Sequence, residues 1–194
     1  MCGIVLSGSY LQRHNNWRRV VSIIEIRKSS DNPLGVRLSN DTRREFFLES
    51  IREKPTIRCN SLEGFFQGLK EKDPWKQKRI FLLAGTAAYM AGKRVNETDV
   101  STLYFGGESF DRHGHTYFFL RRVAYDSAYH QDPTFKDDLL ATGNEELLCS
   151  VAGTDSRKTI LTEPEILYEI LRLRSQAHLE AEAAHPKLNM VDDA

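Results

Sequence analysis

The sequence predicts an α+β fold: a predominantly helical single domain carrying a small N-terminal antiparallel β unit. Two observations carry this expectation. Short β-branched or alternating runs sit within the first sixty residues, and the chain after Ser61 shows mainly helical periodicity with capping signals. The length of 194 residues fits one domain with a real core, expected over residues 1–185, with a frayed tail at 186–194. Hydrophobic residues make up 40% and charged residues 28%, as in globular proteins. Lys+Arg and Asp+Glu are both 27, so the chain is not a strongly basic nucleic-acid binder and any such contact is local.

Val20 to Ile26 is β-branched and reads as a strand. Ser29 to Pro33 is a turn cluster, and Gly35 to Asn40 reads as extended or looped. Glu45 to Leu48 and Thr56 to Cys59 read as two short strands around a Lys54-Pro55 turn, completing the β unit. Ser61 is a good N-cap for the next helix, and Asp73-Pro74 opens another. Ile80 to Ala91 is apolar between basic flanks. It is too short for a bilayer of about 30 Å and reads as a buried core helix ending at Gly92. Asn96 to Gly114 reads as a long polar loop.

Tyr117 to Ala128 reads as a helix. Asp132-Pro133 starts another, with Phe135, Leu139 and Leu140 inward and a stop at Gly143. Glu146 to Val151 fits a strand or a helical turn. Thr162-Glu163-Pro164-Glu165 is a capping box that starts a long helix with Ile166, Leu167, Ile170, Leu171 and Leu173 inside. Cys2, Cys59 and Cys149 form no disulfide framework or zinc pattern, which points to a reducing compartment. With no signal-peptide run, the expected location is intracellular, cytoplasmic or nuclear, with no membrane partner. The sequence sets no oligomeric state. His113 and His115 at i, i+2 lack a converging third ligand, so no metal or cofactor is expected.

The stretch from Ser61 to Lys70 is the most informative. At about 100° per residue it sorts into three faces. Leu62, Phe65, Phe66 and Leu69 form a core stripe, while Glu63, Gln67 and Lys70 share a second stripe. Gly64 and Gly68 form a third, marking close approach of a backbone or a ligand. On periodicity alone this also describes a surface helix with a solvated Glu–Lys stripe.

Taken with other blocks, these residues resemble the NADAR family of N-glycosidases. Its members act on riboflavin-pathway intermediates or remove ADP-ribose from guanine in nucleic acid. Asn32 to Gly35 with Leu38-Ser39-Asn40 is similar to the family's "LSN" segment, and Ser61 to Lys70 is similar to its central "S-x-E-x-x-x-Q-x-x-K" helix. Leu139 to Gly143 is similar to its "L-L-A-T-G" helix end, and Ile170 to Arg174 to its closing helix. Asp155 falls where the family carries a downstream acid. The resemblance covers about residues 30–175. The family's loop Trp is absent from Phe110 to His115, and Ser156 to Thr159 replaces its late Trp-Gly pair.

The resemblance implies cleavage of an N-glycosidic bond, with ADP-ribosylated guanine or nucleic acid as the substrate. An oxocarbenium-like sugar needs a carboxylate near its anomeric carbon and a proton for the departing amine. Glu63 is the expected acid/base, Asp155 the second carboxylate, and Lys70 a phosphate ligand or Schiff-base nucleophile. Gln67 and Asn40 are expected to position a ribose hydroxyl or base edge, Gly64 to let a diphosphate or a helix approach, and His113 or Phe110 to replace the Trp. Two alternatives stay open: an N-glycosidase on a small ribosylated metabolite, and a non-catalytic ADP-ribose-binding module. Met1-Cys2-Gly3-Ile4 also resembles the start of class II glutamine amidotransferases, but no downstream motif accompanies it and no glutaminase activity is expected.

Overall fold

The structure is a computed structural model that describes residues 22–49, 56–95, 100–150 and 153–184. The Cys2 segment, the start of the first strand, the Lys54-Pro55 turn and the 186–194 tail lie outside the described residues. Among the described residues, six short strands and seven helices form an α+β arrangement.

β1 (Ile23–Glu25) pairs in parallel with β6 (Glu146–Leu148), Ile23 opposite Glu146. It therefore does not belong to the expected N-terminal antiparallel unit. That unit consists of β2 (Phe46–Leu48) and β3 (Ile57–Cys59), with Phe46 opposite Cys59. Its alternation is clean: Phe46 and Leu48 are buried while Phe47 points out.

The segment expected to be extended is partly a helix, α1 (Pro33–Leu38). Asn32 caps it by accepting from the Leu34 N–H at 2.9 Å, and Pro33 takes the first helical position. The same Asn-Pro pair that reads as a turn thus starts a helix.

α2 (Leu62–Gly68) lies at the centre of the fold. The Ser61 hydroxyl caps it, accepting from the Gly64 N–H at 2.8 Å. Leu62, Phe65, Phe66 and Leu69 are buried as the periodicity demands. Phe65 stacks on Phe81 with 5.5 Å between centroids, and Phe66 meets Tyr125 at 6.0 Å.

The apolar run from Ile80 is not one buried helix. α3 (Pro74–Phe81) ends, and α4 (Gly85–Val95) begins after a break. The carbonyls freed at the break find donors: the Asn60 N–H bonds Phe81 O at 2.9 Å, Asn60 Nδ2 bonds Leu82 O at 2.7 Å, and Ser61 Oγ bonds Leu83 O at 2.9 Å. Tyr89 and Met90 of α4 are exposed.

The expected loop contains a hairpin, β4 (Thr102–Phe105) and β5 (Glu108–Asp111). Its turn is Gly106-Gly107, at φ +61° and +91°, a two-residue turn that suits glycine at both positions. Leu103 and Phe105 are buried beneath it.

α5 (His115–Gln131), α6 (Pro133–Ala141) and α7 (Glu163–Ala184) complete the chain. Asp132 caps α6, and Gly143 follows it at φ +51°. Ile166, Ile170 and Leu173 of α7 are buried, whereas Leu171 is exposed. α5 and α7 are joined by buried charge. Arg112 forks onto Glu165 at 2.5 and 3.1 Å, and Arg121 bridges Glu165 at 2.8 Å and Glu169 at 3.1 Å. No helix among the described residues is long and apolar enough to cross a membrane.

Candidate active site

The polar stripe of α2 opens onto a cavity of about 480 Å³, a size suited to a small organic ligand. Glu63, Gln67 and Lys70 all line it. Ile26 and Lys28 follow β1 into one wall, Asn40 and Asp41 follow α1, and α4 adds Tyr89 and Lys93. Cys149 after β6, residues 158–161 and Ile166 close the far side.

Glu63 is fixed at both ends. Its N–H, one of the unpaired donors of a helix start, bonds Asn40 O at 2.9 Å. Its Oε1 accepts from Gln67 Nε2 at 2.9 Å. Asn40 is held in turn by the buried Tyr125 hydroxyl, which donates to Asn40 Oδ1 at 3.0 Å. Gln67 is wedged from behind: a Cβ on Gly92 of α4 would lie 1.9 Å from Gln67 Oε1.

Burial pushes the Glu63 carboxyl up to about 7, and the nearby Asp41 charge adds to the rise. The Gln67 hydrogen bond and the charges of Lys70 and Lys28 pull the other way. Lys70 is held below the ordinary lysine value by burial, with Glu63 opposing. An acid poised near neutrality therefore faces a second carboxylate and an amine of lowered basicity in one cavity.

Asn40, Glu63, Gln67 and Lys70 thus share the cavity, while Asp155, Gly64 and His113 do not line it. Asp155 is turned to Arg157, whose backbone N–H and Nε both donate to Asp155 Oδ1 at 3.0 Å. Those bonds hold its carboxyl down to about 2. The carboxylate that faces Glu63 is Asp41, one residue beyond the Asn40 singled out in sequence. Gly64 faces protein instead of ligand. A Cβ there would meet Leu83 O at 2.4 Å, and one on Gly68 would meet the Phe81 ring at 2.4 Å. His113 is exposed beyond β5, its N–H bonded to Asp111 Oδ1 at 2.7 Å.

The aromatic ring in the wall is Tyr89, and the lysines that sequence reasoning passed over are Lys28, Lys93 and Lys158. Tyr89 and Lys93 stand one turn apart on α4, a spacing visible in sequence but hidden by the expectation of a buried helix. Among the described residues no group of three or more His, Cys, Asp or Glu is arranged to hold a metal.

The far wall is anchored by the α5–α7 ion network. The Tyr117 hydroxyl donates to Ile160 O at 2.7 Å, and the buried Arg112 guanidinium lies 3.8 Å over the Tyr117 ring. Glu165, which binds Arg112, also accepts from the Thr162 N–H at 2.8 Å, closing the capping box.

Residues 34–175 match the family described as Bacteriophage protein GP30.3. An uncharacterized 17.1 kDa protein from the Gp30–rIII intergenic region of Enterobacteria phage T4 is 36% identical over 155 residues, covering 79% of this chain and 97% of that relative. The NMR structure of the E. coli protein YbiA superposes with a TM-score of 0.52 at 18% identity, covering 83% of this chain and 88% of YbiA. YbiA is a NADAR-family protein, so its fold agrees with the resemblance carried by α2. The chain belongs to the bacteriophage GP30.3 family, and its architecture is NADAR-like.

Proposed function

We propose that this protein is an N-glycosidase that removes ADP-ribose from ADP-ribosylated guanine. The observation that carries this reading is the pairing of Glu63, whose carboxyl titrates near 7, with Asp41 in one cavity. Two carboxyl groups in unlike environments divide the work of glycoside cleavage, one holding a proton and the other a charge. Glu63 donates its proton to the departing guanine nitrogen as the bond to ribose C1 breaks. The Asp41 carboxylate stabilises the positive charge that develops on the sugar. Water adds its hydroxyl to C1, and its remaining proton returns to Glu63, so the products are the free amine and ADP-ribose.

Lys28, Lys70, Lys93 and Lys158 line the cavity with these two carboxyls, a lysine-rich wall that suits a diphosphate. This favours ADP-ribose over an uncharged ribosylated metabolite. The lowered basicity of Lys70 supports a second chemical route. In it the neutral amine attacks C1 of the ring-opened sugar, guanine leaves as the free amine, and the resulting imine is hydrolysed by water.

The test is incubation with ADP-ribosylated guanosine, following free ADP-ribose by mass spectrometry. Release that disappears in Glu63→Gln supports the proposal. No release at high enzyme concentration, or release undiminished in Glu63→Gln, overturns it. Strong inhibition by added ADP-ribose separates this substrate from a small ribosylated metabolite.

A further inference from the structure

A smaller cavity, about 280 Å³, lies beside the end of α2 and shares Lys70 with the main cavity. Lys70 thus borders both spaces. Glu71 and Lys72 line the small cavity on one side, and Ser101, Thr102 and Tyr104 line it on the other. Strand alternation explains the second side. Leu103 and Phe105 are buried on one face of β4, so Thr102 and Tyr104 stand together on the opposite face. The Tyr104 N–H bonds Leu69 O at 2.7 Å, which fixes β4 against the end of α2.

A helix end normally presents carbonyl oxygens and repels anions. Here those carbonyls are engaged. The Leu69 N–H bonds Phe65 O and Phe66 O at 3.2 and 3.1 Å, the Lys70 N–H bonds Gln67 O at 3.3 Å, and the Glu71 N–H bonds Gly68 O at 3.0 Å. The buried Gln77 adds a further bond to Gly68 O. Its Nε2 donates to Gly68 O at 3.1 Å, Glu71 O at 3.0 Å and Tyr104 O at 2.8 Å, and its Oε1 accepts from the Gly106 N–H at 2.9 Å. Among the described residues Glu71 supplies the carboxylate in the lining, and its Oε1 accepts from the Asp73 N–H at 2.9 Å. The rest of the described lining includes the Lys70 and Lys72 amines and the Thr102 and Tyr104 hydroxyls, groups that donate hydrogen bonds to a phosphate.

We propose that this small cavity is a phosphate subsite for the leaving-group side of the substrate. The inference rests on the glycosidase reading. The sugar fills the large cavity, the scissile bond lies at the Glu63–Lys70 boundary, and the guanine nucleotide extends past Lys70 so that its own phosphate reaches Lys72 and the hydroxyls of β4. The preferred substrate is then a modified nucleotide or strand and not a modified nucleoside.

The test compares kcat/KM at low salt for ADP-ribosylated guanosine, its 5′-phosphate, and a short oligonucleotide carrying the same base. The phosphorylated substrates are expected to exceed the nucleoside by about tenfold, the scale of one hydrogen bond to a charged group. In Lys72→Glu and Thr102→Glu that ratio falls to near one. A gain for both phosphorylated substrates assigns the subsite to a nucleotide phosphate, and a gain for the oligonucleotide alone assigns it to a strand phosphodiester. A wild-type ratio near one, or a ratio unchanged in the variants, overturns the subsite while leaving the glycosidase intact. If the wild type cleaves none of the three, the glycosidase reading fails instead. The subsite is then tested by titrating guanosine 5′-phosphate and following the Thr102 and Tyr104 amide resonances. Shifts that vanish in Lys72→Glu support it, and their absence in the wild type overturns it.

Discussion

Gln67 donates from Nε2 to Glu63 Oε1 at 2.9 Å while its own Oε1 is pressed against Gly92 of the neighbouring helix. The amide is therefore committed to the carboxyl beside it and acts as a clamp. Gly92→Ala would force Gln67 off that position, because both its Oε1 and its Cβ stand too close to a new methyl. The expected cost is about 1–3 kcal/mol of stability, with loss of turnover. Gln67→Ala removes the obstruction, so the double variant should be more stable than the sum of the singles. Additive costs in denaturant melts would contradict the wedge.

The pH dependence follows from the raised Glu63 carboxyl. The folded protein holds this proton to about pH 7, whereas the unfolded chain releases it near 4.5. Activity that needs the protonated acid should fall as pH rises above 7. Stability moves with it: between 4.5 and 7 the folded state binds more protons, so wild-type stability declines across that window and then levels. Glu63→Gln carries no such burden. It should be inactive, yet more stable than wild type at pH 8 by about 1–3 kcal/mol, with the gap closing toward pH 4. Parallel stability curves for the two proteins would refute the assignment.

Asp41 and Asp155 make opposite predictions. Asp41→Asn removes a charge that raises Glu63, so the alkaline limb of the activity profile should move to lower pH. Turnover should also drop about tenfold or more through loss of charge stabilisation. Asp155→Asn leaves both the limb and the rate where they were, since that carboxylate faces Arg157 outside the cavity. A larger loss in Asp155→Asn than in Asp41→Asn would reverse the assignment.

Tyr89 is half exposed at the cavity wall, with Lys93 one turn on. Stacking of a base on an aromatic ring contributes about 1–3 kcal/mol, so Tyr89→Ala should weaken ADP-ribose binding roughly 5- to 100-fold. Tyr89→Phe should bind nearly as wild type, and ribose 5-phosphate should not distinguish the variants. Calorimetry with both ligands reads this directly.

Arg112 is fully buried between Glu165 and the Tyr117 ring. Arg112→Ala should destabilise the fold by about 1.5–3 kcal/mol, because Glu165 loses its bidentate partner and keeps Arg121 as its cation. Tyr117→Phe removes only the bond to Ile160 O, costs about 1 kcal/mol, and should raise KM by loosening the far wall.

Local chemistry was legible in the sequence where one residue decides the backbone. Ser61, Asp73, Asp132 and Thr162 each accept from the helix start they were expected to cap. The face of α2 that carries Glu63, Gln67 and Lys70 was legible for the same reason, since helical spacing sets it. Pairing between distant segments was not. β1 reads as a strand, but its partner β6 is named by nothing local. The β4–β5 hairpin was obscured because its Gly-Gly turn lies in a polar stretch whose strands are only four residues each. Asp41 escaped notice because a loop residue has no periodicity to aim it; long-range bonds place that loop over the helix, from the Glu63 N–H and the Tyr125 hydroxyl to Asn40 and from the Gly85 N–H to Asp41 O. The glycines of α2 were correctly read as close approach, but the approaching atoms belong to α3 and to Leu83 just beyond it.

The parallel ladder between β1 and β6 has a consequence for synthesis. Ile26 and Lys28 emerge from one strand, Cys149 and the 158–161 wall from the other, and the chamber does not exist until both are in register. A ribosome must therefore deliver most of the polypeptide before any ligand can be enclosed, and a nascent fragment ending ahead of Glu146 carries Glu63 and Lys70 without a vessel around them.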